Sequence, residues 1–238
     1  MNGKSIVDRL GALSGAAFVL LVFIGNGLST DVGSGGDVSN SRAEQVVADL
    51  GKAAASTNVA VGYTMELAGF VMFLFFVAYL YAMLRRGEGS AGWLAVVVLT
   101  GGLTEVAIKL GSGAVIGAEF LGRDTLTPEV ARALDDISGA AFVLSWLPFG
   151  VLVAGAGAAV LGSRVIGRGF GWAGLVVGTA SAVSVLVPGI THLDRANPIP
   201  FLLSALWLGV VSVRLGVRAP LATPVRIQAS APLVNAAV

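Results

Sequence analysis

Long apolar runs recur along the whole chain, and short polar segments separate them. Each run has about twenty residues or more, which is enough for a helix to cross a hydrocarbon core of about 30 Å. The pattern therefore predicts six transmembrane helices. Their expected bounds are 10–28, 59–84, 92–117, 137–161, 169–190 and 200–217.

Two of the polar segments between these runs are expected to contain short helices. Arg42–Leu50 follows a capping-box sequence and has its apolar residues on one face, which indicates a helix on the membrane surface or in a solvated loop. Thr127, followed by proline and glutamate, predicts the start of a helix over Pro128–Leu134. Pro148 is expected to kink the fourth span. The proline-containing tail, 219–238, is expected to be disordered.

Composition supports this reading and narrows the class of protein. The chain is 55% hydrophobic and 12% charged, and its mean hydropathy of +0.86 lies outside the range of soluble domains. We therefore expect an all-α, polytopic membrane helix bundle formed by residues 1–218, with the lipid bilayer as its main partner. The sequence has no cysteine, which excludes disulfides and thiolate sites. No basic patch with interleaved aromatic residues suggests nucleic acid.

Lysine and arginine are distributed unequally between the two ends of the predicted helices. Six spans place both termini on one side, where nine basic residues lie against five on the other. Basic residues in short flanks favour the cytoplasm, so both termini are predicted to be cytoplasmic, in the plasma membrane. The nine are Lys4, Arg9, Arg85, Arg86, Arg164, Arg168, Arg214, Arg218 and Arg226. The five are Arg42, Lys52, Arg123, Arg132 and Arg195.

One short sequence occurs twice. Ser14–Leu20 and Ser138–Leu144 both read SGAAFVL, near the start of the first and fourth spans. Those two spans cross in opposite directions if there are six, which suits the 3+3 inverted repeat of many secondary transporters. The alternative is a chance match in a chain rich in these small residues. The second and third spans show no comparable match to the fifth and sixth.

The third span contains the most informative charges. Gly101, Glu105, Lys109 and Gly113 recur every four residues and are expected to form one stripe. A charge that faces lipid costs several kcal/mol, so the stripe should point into the bundle. Glu before Lys at this spacing is also the favourable order for an ion pair.

Glu66 is the expected companion of this stripe. It lies eight residues into the second span, at a depth similar to that of Lys109 on an antiparallel neighbour. A cluster of Glu66, Glu105 and Lys109 would suit a proton relay or a binding point for a cationic group. The alternative is a buried ion pair that only fixes how the helices pack.

Other motifs are weaker. His192 is the only histidine and falls in a predicted loop, so a histidine-rich metal site cannot be built. The sequence Gly169–Gly174 satisfies G-x-G-x-x-G, but it opens a membrane helix and follows no strand. Gly174, Gly178 and Ala182 form a small-residue face that predicts a helix contact. No known nucleophile motif is present, so neither catalysis nor any cofactor or metal is expected.

The sequence resembles a family of uncharacterised six-helix integral membrane proteins of bacteria, common in actinobacteria. The resemblance rests on Arg9–Ala12, on the Arg42–Leu50 segment, on Leu80–Arg85 and on the polar interior of the third span. It implies the bacterial inner membrane and no known activity. We expect a membrane protein that binds or moves a small molecule, ion or proton past Glu66, Glu105 and Lys109. The alternative is a structural subunit that contacts a second copy or another membrane protein.

Overall fold

The computed structural model describes residues 3–29, 43–87, 92–163 and 167–218, which are helical apart from short turns. A 3-10 turn at Ile190–Arg195 precedes the last helix. The α-helices of this part of the chain are α1 (Gly3–Ser29), α2 (Ala43–Ala55), α3 (Thr57–Gly87), α4 (Trp93–Gly122), α5 (Pro128–Leu144), α6 (Trp146–Ser163), α7 (Arg168–Leu186) and α8 (Pro198–Arg218).

Six helical segments are long and apolar enough to cross a membrane, as the hydropathy pattern predicts. They are α1, α3, α4, the consecutive pair α5 and α6, α7 and α8. Many large apolar side chains on their outer faces are exposed, which is what a lipid-facing surface requires. The chain is therefore a helical multi-pass membrane protein.

Consecutive spans run antiparallel. On α1 and α3, Gly25 lies against Gly62 near one end of the bundle, and Gly15 lies against the Phe76 ring farther along. The last span closes the bundle against the first: the Ser212 hydroxyl on α8 accepts a hydrogen bond of 2.7 Å from the backbone N–H of Ala16 on α1. We call the end where α2 lies the α2 end, and the other end the opposite end.

The core is aromatic and aliphatic, with Phe73, Phe76 and Phe149 almost fully buried. Glycine residues allow neighbouring helices of the bundle to approach each other closely. A Cβ atom at Gly150 on α6 would lie 2.5 Å from the carbonyl oxygen of Gly178 and 2.7 Å from the backbone nitrogen of Ala182 on α7. This confirms the helix contact predicted for the small-residue face of α7, because no side chain fits between the two backbones.

The fourth span differs from the expectation in where it is interrupted. The short helix predicted over Pro128–Leu134 continues without a break to Leu144, because nothing between them stops a helix. The interruption is confined to Ser145, one turn before Pro148, and the backbone there stays helical, with φ of −63° and ψ of −23°. Proline has no N–H to give to the carbonyl four residues earlier, so the break lies where its missing hydrogen bond falls.

Some expectations lie beyond the residues that the structure describes. The proposed capping residues of α2, Ser41 and Arg42, are outside those ranges, and so is the tail 219–238. The helix α2 itself is present and extends past Gly51 to Ala55.

Candidate functional site

The helix α4 has a polar stripe that extends from the middle of the bundle toward the α2 end. Glu105, Lys109, Ser112 and Glu119 follow one another at spacings of four, three and seven residues, which keeps them on one face. At a rise of 1.5 Å per residue the stripe is about 21 Å long. Glu105, Ser112 and Glu119 are buried, with Glu105 only 1% exposed, and Lys109 is partly buried, so the stripe faces mainly the protein interior.

The helix α5 presents a matching row to this stripe. Ser112 donates a hydrogen bond of 3.2 Å to the backbone carbonyl of Ser138, and the Ser145 hydroxyl lies within hydrogen-bonding reach of Glu105. At the α2 end, the carboxylates of Glu119 and Asp135 are close enough to repel each other. We call this row of facing residues the polar seam. Its members are Glu105, Lys109, Ser112, Glu119, Asp135, Ser138, Phe142 and Ser145.

Lys109 is held by an aromatic ring and not by an acid. Its Nζ atom lies 3.5 Å from the centre of the Phe142 ring, a cation–π contact. Ion pairs within 4 Å in the described part of the chain include Lys52–Asp49, Arg123–Asp124 and Arg132–Asp136, and none of them involves Lys109. Lys109 therefore attracts its two acidic neighbours, Glu105 and Glu66, from a distance.

Glu105 is the deepest charged side chain of the seam. One of its carboxylate oxygens, Oε2, has no hydrogen-bond partner in the described part of the protein. Its Ser145 neighbour donates to the carbonyl of Phe142 at 2.7 Å, in the last turn of α5. A hydroxyl has one hydrogen, so Ser145 can turn it either to this carbonyl or to the carboxylate.

Glu66 lies beside the seam on α3. The Ser29 hydroxyl donates a hydrogen bond of 3.2 Å to its Oε1 atom. Gly25 and Gly62 bring α1 and α3 together at this level, and a Cβ atom at Gly25 would lie 2.9 Å from the Glu66 side chain. The three residues predicted from the sequence therefore share one electrostatic neighbourhood around Lys109 without touching one another.

The predicted stripe is wrong at one position. Gly101 is buried, but Gly113 is exposed with nothing near it, and Ser112 takes the inward position. Four residues turn a helix by about 400°, so a four-residue repeat drifts by about 40° at each step and leaves the interface after three steps.

Sequence reasoning missed Tyr63, Glu119 and Asp135. The Tyr63 ring packs edge-on against Phe120, 5.8 Å between centroids, and its phenol lies in the field of Glu66, Glu119 and Asp135. Glu119 was placed beyond the third span, although its distance of fourteen residues from Glu105 is close to four helical turns. That spacing is the signal that would have found it.

The amphipathic helix α2 covers this end of the seam. It packs mainly on α5 and also touches α3 and α4. Ala53 is buried in the contact, and Val46, Val47 and Leu50 are partly buried. The packing favours a helix that rests on the bundle over a freely solvated loop helix.

The described acidic side chains of the seam are not grouped in threes. In the ranges that the structure describes, no group of three or more His, Asp or Glu side chains is close enough to hold a metal ion. His192 is exposed in the 3-10 turn. The chemistry that the seam offers is that of single carboxylates, hydroxyls and one ammonium group inside the bundle.

Comparison with protein-family models, with curated proteins and with solved structures finds no match to this chain. The resemblance to six-helix bacterial membrane proteins therefore stays a prediction. The fold and the seam define the class: a multi-pass membrane helix bundle with charged groups buried between its helices.

Proposed function

We propose that the protein binds or moves a small molecule, ion or proton along the interior beside Glu66, Glu105 and Lys109, and that the proton fits this interior best. The polar seam is a line of groups that exchange or carry protons, from Asp135 and Glu119 at the α2 end to Glu105 in the middle. A proton can pass along such a line without an open pore, whereas a larger solute needs one.

One observation supports this proposal over a structural role. Lys109 and Glu105 do not form an ion pair. The Lys109 ammonium group lies over the Phe142 ring, and the Oε2 atom of Glu105 has no hydrogen-bond partner in the described part of the protein. A buried ion pair that holds helices together has to be in direct contact, because an uncompensated buried charge is destabilising. Charges that are kept separate at such a cost favour a role in binding or transfer.

The alternative, a structural subunit whose charges hold the helices together, has less support. Close helix contacts of the bundle are made at glycines, as where Gly25 lies against Gly62 and Gly150 against Gly178. These contacts need no charge, since close backbone approach and dispersion hold membrane helices together.

Proton flux into proteoliposomes tests the proposal. The purified protein is reconstituted around a pH-sensitive dye, and a potassium diffusion potential drives protons inward. We expect flux above that of empty liposomes, and loss of this excess in Glu105→Gln. Glu129→Gln, which changes an exposed acid outside the seam, is the matched control and should conduct like the unaltered protein. Flux that survives in Glu105→Gln would contradict the assigned path.

We also propose that the bundle is a 3+3 inverted repeat, as the doubled SGAAFVL sequence suggests. A weaker similarity between the third and sixth spans, with three of six residues identical, also supports this: VAIKLG at Val106–Gly111 on α4 and VSVRLG at Val211–Gly216 on α8. The helix contacts also correspond between the two halves, which are α1, α3 and α4 in the first and α5 with α6, α7 and α8 in the second. The first span of each half packs on the second span of its own half, α1 on α3 and α6 on α7. It also packs on the last span of the other half, α1 on α8 and α5 with α6 on α4.

An inverted repeat predicts entrances at opposite ends of the bundle. Ser14 and Ser138 occupy the same position in the two SGAAFVL copies, and each donates to the carbonyl three residues earlier, at 2.7 and 3.0 Å. Both serines are buried, so the test uses the exposed equivalent positions five residues earlier, Arg9 and Ala133. Cysteines placed there should react with an impermeant thiol reagent from opposite sides of the membrane. Reaction of both from the same side would contradict the repeat.

The type of membrane and the partners are proposals that rest on the sequence. We propose a bacterial inner membrane with both termini in the cytoplasm, on the strength of nine basic residues against five. The α2 end then faces outward. A second copy or another membrane protein is the proposed partner besides lipid.

A further inference from the structure

Three buried polar atoms around the break between α5 and α6 have no hydrogen-bond partner within the described ranges. They are Oε2 of Glu105, Nε1 of Trp146 and Oγ of Ser204. The three residues are 1%, 5% and 0% exposed. A buried polar atom left unsatisfied costs about 1–3 kcal/mol, so three of them in one region require an explanation.

These residues come from α4, α6 and α8, and both α4 and α8 pack on α6. Glu105 on α4 neighbours Ser145, the residue that separates α5 from α6. Trp146 is the next residue, and its indole stacks on the Phe201 ring of α8 with centroids 5.3 Å apart. Ser204 follows Phe201 by three residues on α8, which is one turn along the same face.

The break adds a backbone acceptor to this group. Pro148 has no N–H, so the Leu144 carbonyl lacks the donor that a continuous helix would supply. The region therefore offers two acceptors, the carboxylate and the carbonyl, and one donor, the indole N–H, while the Ser204 hydroxyl can act as either.

We propose that the break between α5 and α6 holds one or more bound water molecules. Water donates to the Glu105 carboxylate and the Leu144 carbonyl and accepts from the Trp146 indole. A metal cation cannot accept the indole hydrogen bond, and an anion would be repelled by the carboxylate. Buried water with two to four polar partners is a normal part of protein interiors.

The site would extend the polar seam beyond Glu105, toward α8 and the aromatic core. A proton that reaches Glu105 would then have a hydrogen-bonded neighbour to move to. The water site does not rest on proton transfer, because bound water would satisfy these groups in a protein that moves nothing. The test below measures contact with water and leaves the flux experiment independent.

Indole N–H signals from a tryptophan-labelled sample test the proposal by NMR in micelles. The chain has four tryptophans. Trp207 is the matched control, because it is equally buried, at 7% exposed, and its Nε1 donates to the Phe170 carbonyl at 2.9 Å. Trp93 and Trp172 are exposed, and Trp→Phe variants assign all four signals.

We expect a cross-peak between water and the Trp146 N–H and none for Trp207. If neither the Trp146 nor the Trp207 N–H shows a cross-peak to water, the proposal is overturned. Equally slow hydrogen exchange at the two indole N–H groups would also overturn it. Ser204→Val replaces a hydroxyl that binds the water and should weaken the Trp146 cross-peak. Ser184→Val is its control, because the Ser184 hydroxyl bonds its own helix at Ser181, 2.8 Å away. A Trp146 cross-peak that is unchanged in a folded Ser204→Val protein, or in Ser204→Ala should the valine variant not fold, would also contradict the site.

Discussion

Lys109 lies with its ammonium nitrogen 3.5 Å from the centre of the Phe142 ring, although Glu105 is one helical turn away on the same helix. The ring accepts the cation by its negative face, and the carboxylate stays without an ion-pair partner in the described part of the bundle. This separation of opposite charges is the basis of the proposed function, and its energetic consequences can be measured.

The cation–π contact should be visible in a double-mutant cycle. We expect Lys109→Met and Phe142→Leu to be coupled by about 1–2 kcal/mol in the free energy of unfolding. The reason is that Lys109 lies near the middle of a membrane-spanning helix, where little water competes for its ammonium group, although the Phe142 ring is 39% exposed on the bundle surface. Arg214 over Phe170, at 4.1 Å, is the control contact, and Arg214 is exposed. Its cycle should give about 0.5 kcal/mol. Equal coupling in the two cycles would show that Lys109 gains nothing from its interior position.

The contact between α6 and α7 should not tolerate a methyl group. Gly150→Ala places a carbon 2.5 Å from the Gly178 carbonyl oxygen, so we expect a loss of about 2–3 kcal/mol in stability. Gly111→Ala is the control, since nothing lies within 4 Å of that position. It should be neutral or stabilising by about 0.5–1 kcal/mol, as expected for Gly to Ala in a helix. Thermal unfolding in detergent compares the two, and a stable Gly150→Ala protein would contradict the close approach.

One serine joins the last span to the first by two hydrogen bonds. Ser212 on α8 accepts from the Ala16 N–H and donates to the Ala12 carbonyl on α1. We expect Ser212→Ala to cost about 1–2 kcal/mol, because two interhelical hydrogen bonds are lost. Ser184→Ala removes only a bond within its own helix and should change stability by less than half of this amount. Similar losses from both variants would show that the α1–α8 bonds add nothing.

Orientation can be tested without background labelling, because the sequence contains no cysteine. Thr125 lies at the α2 end and Arg168 at the opposite end, and both are exposed. In intact cells, an impermeant maleimide should label Thr125→Cys and spare Arg168→Cys. Permeabilised cells are the control, in which both variants should be labelled. The reverse pattern would place the termini outside.

Hydropathy was sufficient to predict the six apolar helices, since bilayer thickness sets their length independently of how they pack. The inward position of Glu105 followed for a similar reason, because a charge facing lipid is costly. Neither argument predicts which residue a given side chain contacts. That Lys109 contacts Phe142 depends on how α4 and α5 pack, and no local pattern encodes that contact.

Two further outcomes show where one-dimensional patterns fail. Gly113 was assigned to the inner stripe by counting in fours, which ignores the drift of a helix with 3.6 residues per turn. Glu119 fell just beyond the predicted end of the third span at residue 117, and Asp135 fell in the polar segment before the fourth, because polar residues lower the local hydropathy. The helices extend beyond the apolar core of the sequence, and their charged ends meet inside the bundle.

The central claim is that the buried charges of the seam take part in proton transfer and do not only stabilise the packing of the helices. The most direct test is voltage-driven proton flux in proteoliposomes containing Lys109→Met, beside Arg214→Met, which removes the corresponding cation of the VSVRLG segment. Melting temperature confirms that both variants are folded. The account predicts that Lys109→Met falls to the flux of empty liposomes while Arg214→Met conducts normally. Normal flux in a folded Lys109→Met protein, or equal loss in both variants, would contradict it.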